Sequence, residues 1–505
     1  MSRRALLSVS DKSGLLPLGE GLAALGFELV ASGGTARALK SGGLEVLDVA
    51  DVTGAPELLG GRVKTLHPRV HGAILARPTD EHTAELARHD ITSIEVVVCN
   101  LYPFSKTISS GDVDDLTAIE QIDIGGVTLL RAAAKNLERV AVLCDPSQYD
   151  DALSALREDT LDLSKRRALA LAAFRHTATY DVTIANWIAR GEGESLPGAM
   201  LLSAGHSEPL RYGENPHQAA AWYHLDGVQQ PFTLLQGKAL SYNNLIDLDA
   251  AWQMPAEVNA PCVAIVKHTN PCGMAVGEDP VQAFERALAC DPVSAFGSII
   301  AVNREVDERF VETVGKLFVE VLVAPRFTEG ALAWLKQKKK NCRVITATRS
   351  ADVSKLTVKS VAGGLMVQQQ DRSTTPAQQW QVVTSRQPSA QERVDLELAW
   401  RVVKHVKSNA IVLVAGGGTV GVGAGQTSRV GAVEIACRLA GDKAKSSVLA
   451  SDAFFPFPDG VEAAAAAGVT AVIQPGGSKR DPEVIAAAER LGITMVMTGA
   501  RHFRH

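Results

Sequence analysis

The chain contains no apolar run of about 20 residues, the length a helix needs to span a bilayer, and this excludes a membrane-crossing helix. Its opening residues, Met1-Ser2-Arg3-Arg4-Ala5, pass directly into a strand-and-helix pattern without an apolar leader or cleavage site, so export is not expected. Cysteine is sparse. The seven residues, Cys99, Cys144, Cys262, Cys272, Cys290, Cys342 and Cys437, form an odd, scattered set that suits a reducing cytosol and not a disulfide framework. A net charge of -5 over 505 residues offers no general attraction to nucleic acid, and the one basic run, Lys336 to Lys340, reads as a solvated loop or helix end. The expectation is a soluble, cytoplasmic protein with no nucleic-acid or membrane partner.

Metal and dinucleotide signatures are also wanting. His67 and His71 stand at helical ligand spacing, but Pro68 intervenes and no HExxH glutamate accompanies them. Pro271-Cys272 begins a P-C-x-x-C string, yet Ala275 holds the second cysteine's place and no H-x-E partner lies nearby. No transition metal is expected. Gly416 to Gly421 fits GxGxxG, but Thr419 to Gly423 reads as a strand where a dinucleotide site requires a helix, so a hairpin turn is the better reading.

What is present is a hydrophobic content of 46%, ample for buried cores, and a length that suggests about three compact units at about 150 residues each. Up to about residue 189 strands and helices alternate: strand Ala5-Val9, helix Ser13-Leu25, strand Phe27-Ala31, a helix from Thr35, strand Ile94-Val98, helix Gly126-Asn136 and strand Val140-Leu143. Such alternation predicts a parallel sheet covered on both faces. Gly191 to Gly198 combines Gly, Pro and charge without periodicity and is the best linker, which places the domains at 1–195 and 196–505. The second part is again α/β, with buried strands at Cys262-Val266 and Ile411-Ala415, an Ala-rich helix at Gly460-Ala467, and length enough for two subunits of fold.

Phosphate chemistry is the clearest signal in the first domain. Ser10, Asp11 and Lys12 follow one strand and Ser32, Gly33, Gly34 and Thr35 follow the next, each turn leading into a helix whose unpaired N–H groups favour an anion. Arg62, Lys64 and Thr65 add a guanidinium, an ammonium and a hydroxyl. Asn100, Tyr102 and Asp123 stand at further strand or loop ends, and Lys135 is expected to face the same cleft. In the second domain Lys267 and His268 set an ammonium beside an imidazole just before a predicted Pro271-Cys272-Gly273 turn, which is acid/base equipment. Upstream, Arg211 to Gln218 crowds a cation, a phenol, an amide and an imidazole around one turn.

Read in order, SVSDK, SGGT, RVKTLHP, NLYPF, IDIGG, RAAAKN, RYGENPHQ and KHTNPCG resemble the bifunctional purine-biosynthesis enzymes that join IMP cyclohydrolase to phosphoribosylaminoimidazolecarboxamide (AICAR) formyltransferase. The likeness continues through SAFGS, GAGQTSR, DAFFPF and the C-terminal Arg501-His502-Phe503; Val127 and Pro458 depart from the family pattern at positions without an assigned role. The resemblance implies a methylglyoxal-synthase-like parallel-sheet domain, then a formyltransferase domain of two cytidine-deaminase-like α/β subunits. It implies formyl transfer from 10-formyltetrahydrofolate, a co-substrate, to the 5-amino group of AICAR, then ring closure to IMP with loss of water. His268 would be the general base and Lys267 the oxyanion stabiliser or proton donor. Arg211, Tyr212, Gly297, Glu320, Asn409 and Arg429 would hold the AICAR nucleotide, and Val430, Phe454, Ser478, Lys479 and Arg501 would line the folate subsite. In the first domain Lys135 would be the proton donor/acceptor, with Tyr102 and Asp123 organising the carboxamide and water. Val63, Cys99, Asn100 and Ile124 would join the phosphate-binding residues around the substrate. A homodimer intertwined through the formyltransferase domains would share those sites between chains. Two other readings compete: a zinc nucleoside deaminase, and a non-catalytic nucleotide-sensing module, which would have no use for both Lys135 and the Lys267-His268 pair.

Overall fold

The computed structural model describes residues 3–109, 113–190, 196–226, 228–348, 356–373 and 375–505, so the linker predicted at Gly191 to Gly198 lies, as far as residue 195, outside them. The chain forms two compact units, residues 1–206 with 223–227, and residues 207–222 with 228–505. Among the described residues no helix is long and apolar enough to cross a membrane.

The first unit is built on five parallel strands, β1 (Arg3–Val9), β2 (Phe27–Ala31), β3 (Val46–Asp48), β4 (Ile94–Asn100) and β5 (Ala141–Leu143), in the order β3-β2-β1-β4-β5. Buried parallel strands read as near-continuous apolar runs because both faces are covered. Along β1, Leu6 enters one core with Val30 and Val97, while Ala5, Leu7 and Val9 enter the other with Leu29 and Val98. The predicted strand Ile94-Val98 runs two residues further, and this extension sets Asn100 at the strand's end. Strand order reverses between β1 and β4, and the crevice beyond the C-terminal ends at such a reversal is where open α/β sheets bind ligands.

Two two-stranded ribbons, β6 (His206–Leu210) with β7 (Ala220–His224) and β14 (Leu356–Val361) with β15 (Gly364–Gln369), stand apart from the main sheets. The second unit is otherwise organised by twelve strands. One half contains β8 (Phe232–Gln236), β9 (Cys262–Lys267), β10 (Asn270–Val276), β11 (Ser298–Val302), β12 (Val319–Ala324) and β13 (Arg343–Ala347); the other contains β16 (Gln381–Val382), β17 (Ile411–Ala415), β18 (Gly418–Gly423), β19 (Val448–Ser451), β20 (Ala471–Gln474) and β21 (Thr494–Met497). The sheet order is β16-β21-β20-β19-β17-β18-β10-β9-β11-β12-β13-β8. Each half runs β-α-β-β-α-β-α-β-α-β with the same pairings: a hairpin, three parallel strands, and the first strand antiparallel to the last. The unit is therefore a duplication, joined through β10 and β18.

The two faces of that sheet differ. One carries a single core common to both halves, into which Ala264, Val266, Val412 and Val414 project beneath the helices Tyr242–Ala256 and Ala390–Val403. The other carries two separate cores, one receiving Val263 and Ile265, the other Ile411 and Leu413. Close packing of helix on strand requires glycine here: a Cβ at Gly273 would lie 2.0 Å from Ala287 O, and one at Gly421 would lie 2.2 Å from Ala436 O. The basic run Lys336 to Lys340 falls at the end of the helix Glu329–Lys338. Gly416 and Gly417 form the β17–β18 hairpin turn, as their sequence predicts. The predicted turn at Pro271-Cys272-Gly273 is corrected: these residues belong to β10 and carry a register shift against β9, while the turn lies earlier, at His268-Thr269.

Candidate active sites

In the first unit, Asn100 spans the crevice between β4 and β1. Its Oδ1 accepts from Ser10 N at 2.7 Å and Asp11 N at 2.8 Å, and its Nδ2 donates to Asp11 O at 3.0 Å. The Asp11 carboxyl is held below its ordinary range by the backbone and hydroxyl of Ser13. Thr35, buried, is committed to β1: its hydroxyl accepts from Val9 N at 3.0 Å and donates to Val9 O at 3.1 Å. With its hydroxyl so engaged, what Thr35 offers a ligand is a backbone position in the first turn of the helix Gly33–Ser41. That helix begins at Ser32, which makes no side-chain cap, and Gly33 adopts φ 52°. Two ammonium groups flank its start: a Cβ at Gly33 would lie 3.3 Å from Lys64 Nζ, and one at Gly34 3.6 Å from Lys12 Nζ. Helix N-terminus and paired cations together make an anion cradle.

Ser32, Gly33, Asp48, Glu57 and Lys64 bound a cavity of about 130 Å³ beside this cradle. Val63 contributes backbone, pairing with Leu58, and Thr65 is buried with its hydroxyl 3.0 Å from where a Cβ on Gly125 would stand. Asp123 precedes the helix Gly125–Lys135 and accepts from Gly126 N at 2.7 Å, while its own N–H donates to the Tyr180 hydroxyl at 2.8 Å. Burial raises the Asp123 carboxyl above its ordinary range, against the lowering effect of the Gly126 and Tyr102 N–H groups. The Cys99 thiol donates to Gly126 O and is pushed well up by burial, so it stays neutral. Tyr102 and Ile124 are exposed next to this group. Lys135 is not gathered with them. It is the last residue of a helix whose first turn holds the Asp123 site, which at 1.5 Å per residue separates the two ends by about 15 Å.

In the second unit the Lys267-His268 pair sits on a two-residue hairpin. His268 (φ 52°) and Thr269 (φ 61°) both adopt left-handed backbone, the geometry of a tight turn matched to strand twist but costly for a β-branched threonine. Asp247 holds it there: its carboxylate accepts from Thr269 N at 2.7 Å and His268 N at 3.2 Å. Lys267 Nζ donates to Phe296 O at 2.8 Å, and the His268 ring is exposed. Asn270 Oδ1 accepts from Lys407 N at 3.0 Å, which ties the turn to the segment bearing Asn409. A cavity of about 230 Å³ opens here between Lys267, His268, Cys272, Cys290, Ser294 and Val422. Burial pushes the Cys272 thiol to about 12 and that of Cys290 to about 11, so neither is a thiolate nucleophile at neutral pH.

Arg429 is buried. Its Nη2 donates to Asn409 Oδ1 at 2.6 Å and its Nη1 pairs with Asp452, which is fully buried and also accepts from Ala410 N at 3.1 Å. Val430 follows Arg429 in the same helix, Phe454 follows β19, Ser478 and Lys479 follow β20, and Arg501 follows β21. Gly297 immediately precedes β11, and Glu320, near the start of β12, is paired with Arg343 at 2.7 Å. Because β9 is antiparallel to β11 and, through the β10–β18 and β17–β19 pairings, parallel to β19, these residues share one edge of the twelve-stranded sheet. Arg211 and Tyr212 lie instead in a turn of their own, closed by Gly213 N to Gln218 O at 2.7 Å, with the guanidinium 5.4 Å from the Tyr212 ring centroid. Asp247 and Asp452 escape sequence reasoning as functional residues, because each acts on backbone or side chains 20 or more positions away and no local spacing announces them. Among the described residues no group of three His, Cys, Asp or Glu is placed to hold a metal ion.

A family model described as AICARFT/IMPCHase bienzyme matches residues 133–439, and one described as an MGS-like domain matches residues 14–128. The protein named "Bifunctional purine biosynthesis protein PurH" from Desulfitobacterium hafniense is 51% identical over 521 residues, covering 100% of both chains. Proteins of the same name from Anoxybacillus flavithermus and Trichormus variabilis are 51% and 50% identical, again over 100% of both chains.

Proposed function

Because the chain belongs to the AICARFT/IMPCHase bienzyme family, and is accordingly an AICAR formyltransferase and IMP cyclohydrolase of purine biosynthesis, we propose that residues 1–195 close the ring and residues 196–505 transfer the formyl group. The formyl donor is a folate, in this reading 10-formyltetrahydrofolate. The 5-amino nitrogen of AICAR attacks the formyl carbon, the bond from that carbon to the folate nitrogen breaks, and His268 takes the proton the amine loses. Lys267 stabilises the oxyanion of the tetrahedral intermediate and supplies a proton to the leaving folate nitrogen. The observation that carries this assignment is the Asp247-braced turn, which fixes the backbone of His268 beside Lys267 at the mouth of the 230 Å³ cavity.

Arg211, Tyr212, Gly297, Glu320, Asn409 and Arg429 hold the nucleotide in this reading, and Val430, Phe454, Ser478, Lys479 and Arg501 receive the folate. The fold of this unit is proposed to be cytidine-deaminase-like, which its internal duplication supports. The separate turn of Arg211 and Tyr212 supports a homodimer in which each formyltransferase site takes residues from both chains, in the cytoplasm.

For ring closure, the cradle of Ser10, Lys12, Gly33, Gly34 and Lys64 grips the 5'-phosphate of formyl-AICAR, and the carboxamide nitrogen attacks the formyl carbon, with water leaving. Since the step is intramolecular, orientation supplies much of the acceleration. Proton transfers at the carboxamide and the departing water are assigned to Tyr102 and Asp123. Lys135, to which the family resemblance gives a proton-transfer role, would have to act from the far end of its helix. The test is to supply AICAR with 10-formyltetrahydrofolate, and separately purified formyl-AICAR, and to follow tetrahydrofolate and IMP in variants of each residue set. A folded His268→Ala protein that loses both reactions would overturn the division of labour.

A further inference from the structure

The two cations of the Arg62 to Thr65 loop each meet a carboxylate. Leu58 and Val63 pair backbone to backbone, Leu58 N to Val63 O at 3.1 Å and Val63 N to Leu58 O at 3.3 Å. This short hairpin sets the residues just outside it opposite each other, and Glu57 Oε2 lies 3.3 Å from Lys64 Nζ. Arg62 reaches the other way, its Nε donating to Glu120 Oε2 at 3.3 Å and its Nη2 to Glu120 Oε1, a forked contact. Glu120 ends the helix Asp115–Glu120, three residues before Asp123. Glu57 thus occupies a cation of the phosphate cradle and lines the same cavity as Ser32, Gly33 and Lys64, while Glu120 occupies the neighbouring cation of the same loop.

We propose that Glu57 and Glu120 are specificity-determining residues of the cyclohydrolase cleft, exchangeable counter-charges that a dianionic phosphate monoester displaces from Lys64 and Arg62 and that a monoanion does not. A carboxylate brings one negative charge, whereas a phosphate monoester brings about 1.5 to 2 at neutral pH. Exchanging one tethered carboxylate for chloride or another monoanion gains no charge and loses the tether; exchanging it for a phosphate gains up to one charge, and a single phosphate that bridges both cations matches the charge of the two carboxylates it releases while freeing both of them to water. Arg62, Glu120 and Glu57 are exposed and Lys64 is partly so, which leaves each pair weak enough to be opened by a competing ligand. The inference rests on the reading that this cleft holds the nucleotide phosphate.

The experiment measures dissociation constants of the full-length protein for IMP and for inorganic phosphate by calorimetry, with added chloride as competitor. It compares wild type with Glu57→Gln, Glu120→Gln and their double variant, and uses Lys12→Ala to report whether IMP occupies the cleft. Each glutamine should tighten phosphate-bearing ligands about threefold and the pair about tenfold, while chloride becomes a stronger competitor. A damaged fold does not produce tighter binding, so this readout separates a counter-charge role from a structural one. Unchanged or weakened affinity in the glutamine variants, with Lys12→Ala still weakening IMP binding about 10-fold or more, would sink the inference alone. IMP binding left unchanged by Lys12→Ala would remove the cleft assignment and the inference with it.

Discussion

The two sites solve the problem of holding reactive groups in opposite ways. The first unit uses backbone: strand ends, a helix N-terminus, and glycines in contact with Lys12 and Lys64, of which Gly33 has no room for a side chain without moving the Lys64 ammonium. The second uses side chains on strained backbone, mounting Lys267 and His268 at a turn in which both central residues are left-handed and both are braced by Asp247, Thr269 N at 2.7 Å and His268 N at 3.2 Å. An intramolecular ring closure chiefly needs its substrate gripped, whereas a transfer between two molecules needs a proton moved at a defined point. On the division of labour proposed above, the contrast teaches that scaffold follows the kind of help each reaction requires.

The sharpest way to break that contrast is His268→Ala, for which formyl transfer should fall by about 10²–10⁴-fold while cyclisation of formyl-AICAR by the same preparation persists. Next in size is Glu257→Gln. Burial opposes ionisation of Glu257, but His405 at 3.2 Å and the buried Lys404 at 2.8 Å bring its carboxyl down from 4.5 to about 2. Removing the carboxylate leaves the Lys404 charge uncompensated, so chemical denaturation should show the second unit weakened by roughly 3 kcal/mol. A folded pKa below the unfolded one means the stabilisation is present above about 4.5 and is lost as pH falls toward about 2. Wild type should therefore lose that stability across this window, and the variant should not; equal acid sensitivity would contradict the assignment.

A smaller effect is expected from Lys64→Ala, which removes one charge-assisted contact from the phosphate cradle. Cyclohydrolase kcat/KM should drop by about 10- to 100-fold with formyl transfer intact. Smallest is a displacement of pH dependence. Since burial raises Asp123, the acid limb of cyclohydrolase activity should lie above the ordinary carboxylate value of 3.8 and vanish in Asp123→Asn. A limb at or below that value would show that ionised Asp123 is not required.

Much of this architecture was legible in the residues. Apolar runs such as Leu6-Leu7 and Val96-Val97-Val98 announce buried parallel strands, and Gly416-Gly417 followed by a strand-like Thr419 to Gly423 announces a hairpin. The Pro271-Cys272-Gly273 string misled, because proline and glycine signal turns locally, whereas here Gly273 serves the approach of a helix and the register shift accommodates the strand. The RAAAKN string and the family resemblance together suggest Lys135 for the cleft. Once the helix Gly125–Lys135 is formed, its length carries that residue away from Asp123. That the Thr35 hydroxyl is spent on β1 was not legible, because its partner Val9 is 26 residues away. Asp247 was invisible, since its partners are 21 and 22 residues distant and only the packing of a helix against the β9–β10 hairpin brings them together.

A duplicated half is also a spare copy. Ala415, Gly416 and Gly417 repeat the places of Lys267, His268 and Thr269, and Asp395 repeats the part of Asp247, accepting from Gly416 N at 3.1 Å and Gly417 N at 2.8 Å. The mould has been kept while the tools are absent. The pairing of β10 with β18 puts this second turn on the opposite edge of the sheet, and a side chain added at Gly416 would meet nothing within 4 Å. For a protein engineer that is a mounting point already fastened at its backbone, where a side chain at Gly416 finds open space but must accept the same left-handed backbone, φ 59°, that His268 accepts at φ 52°.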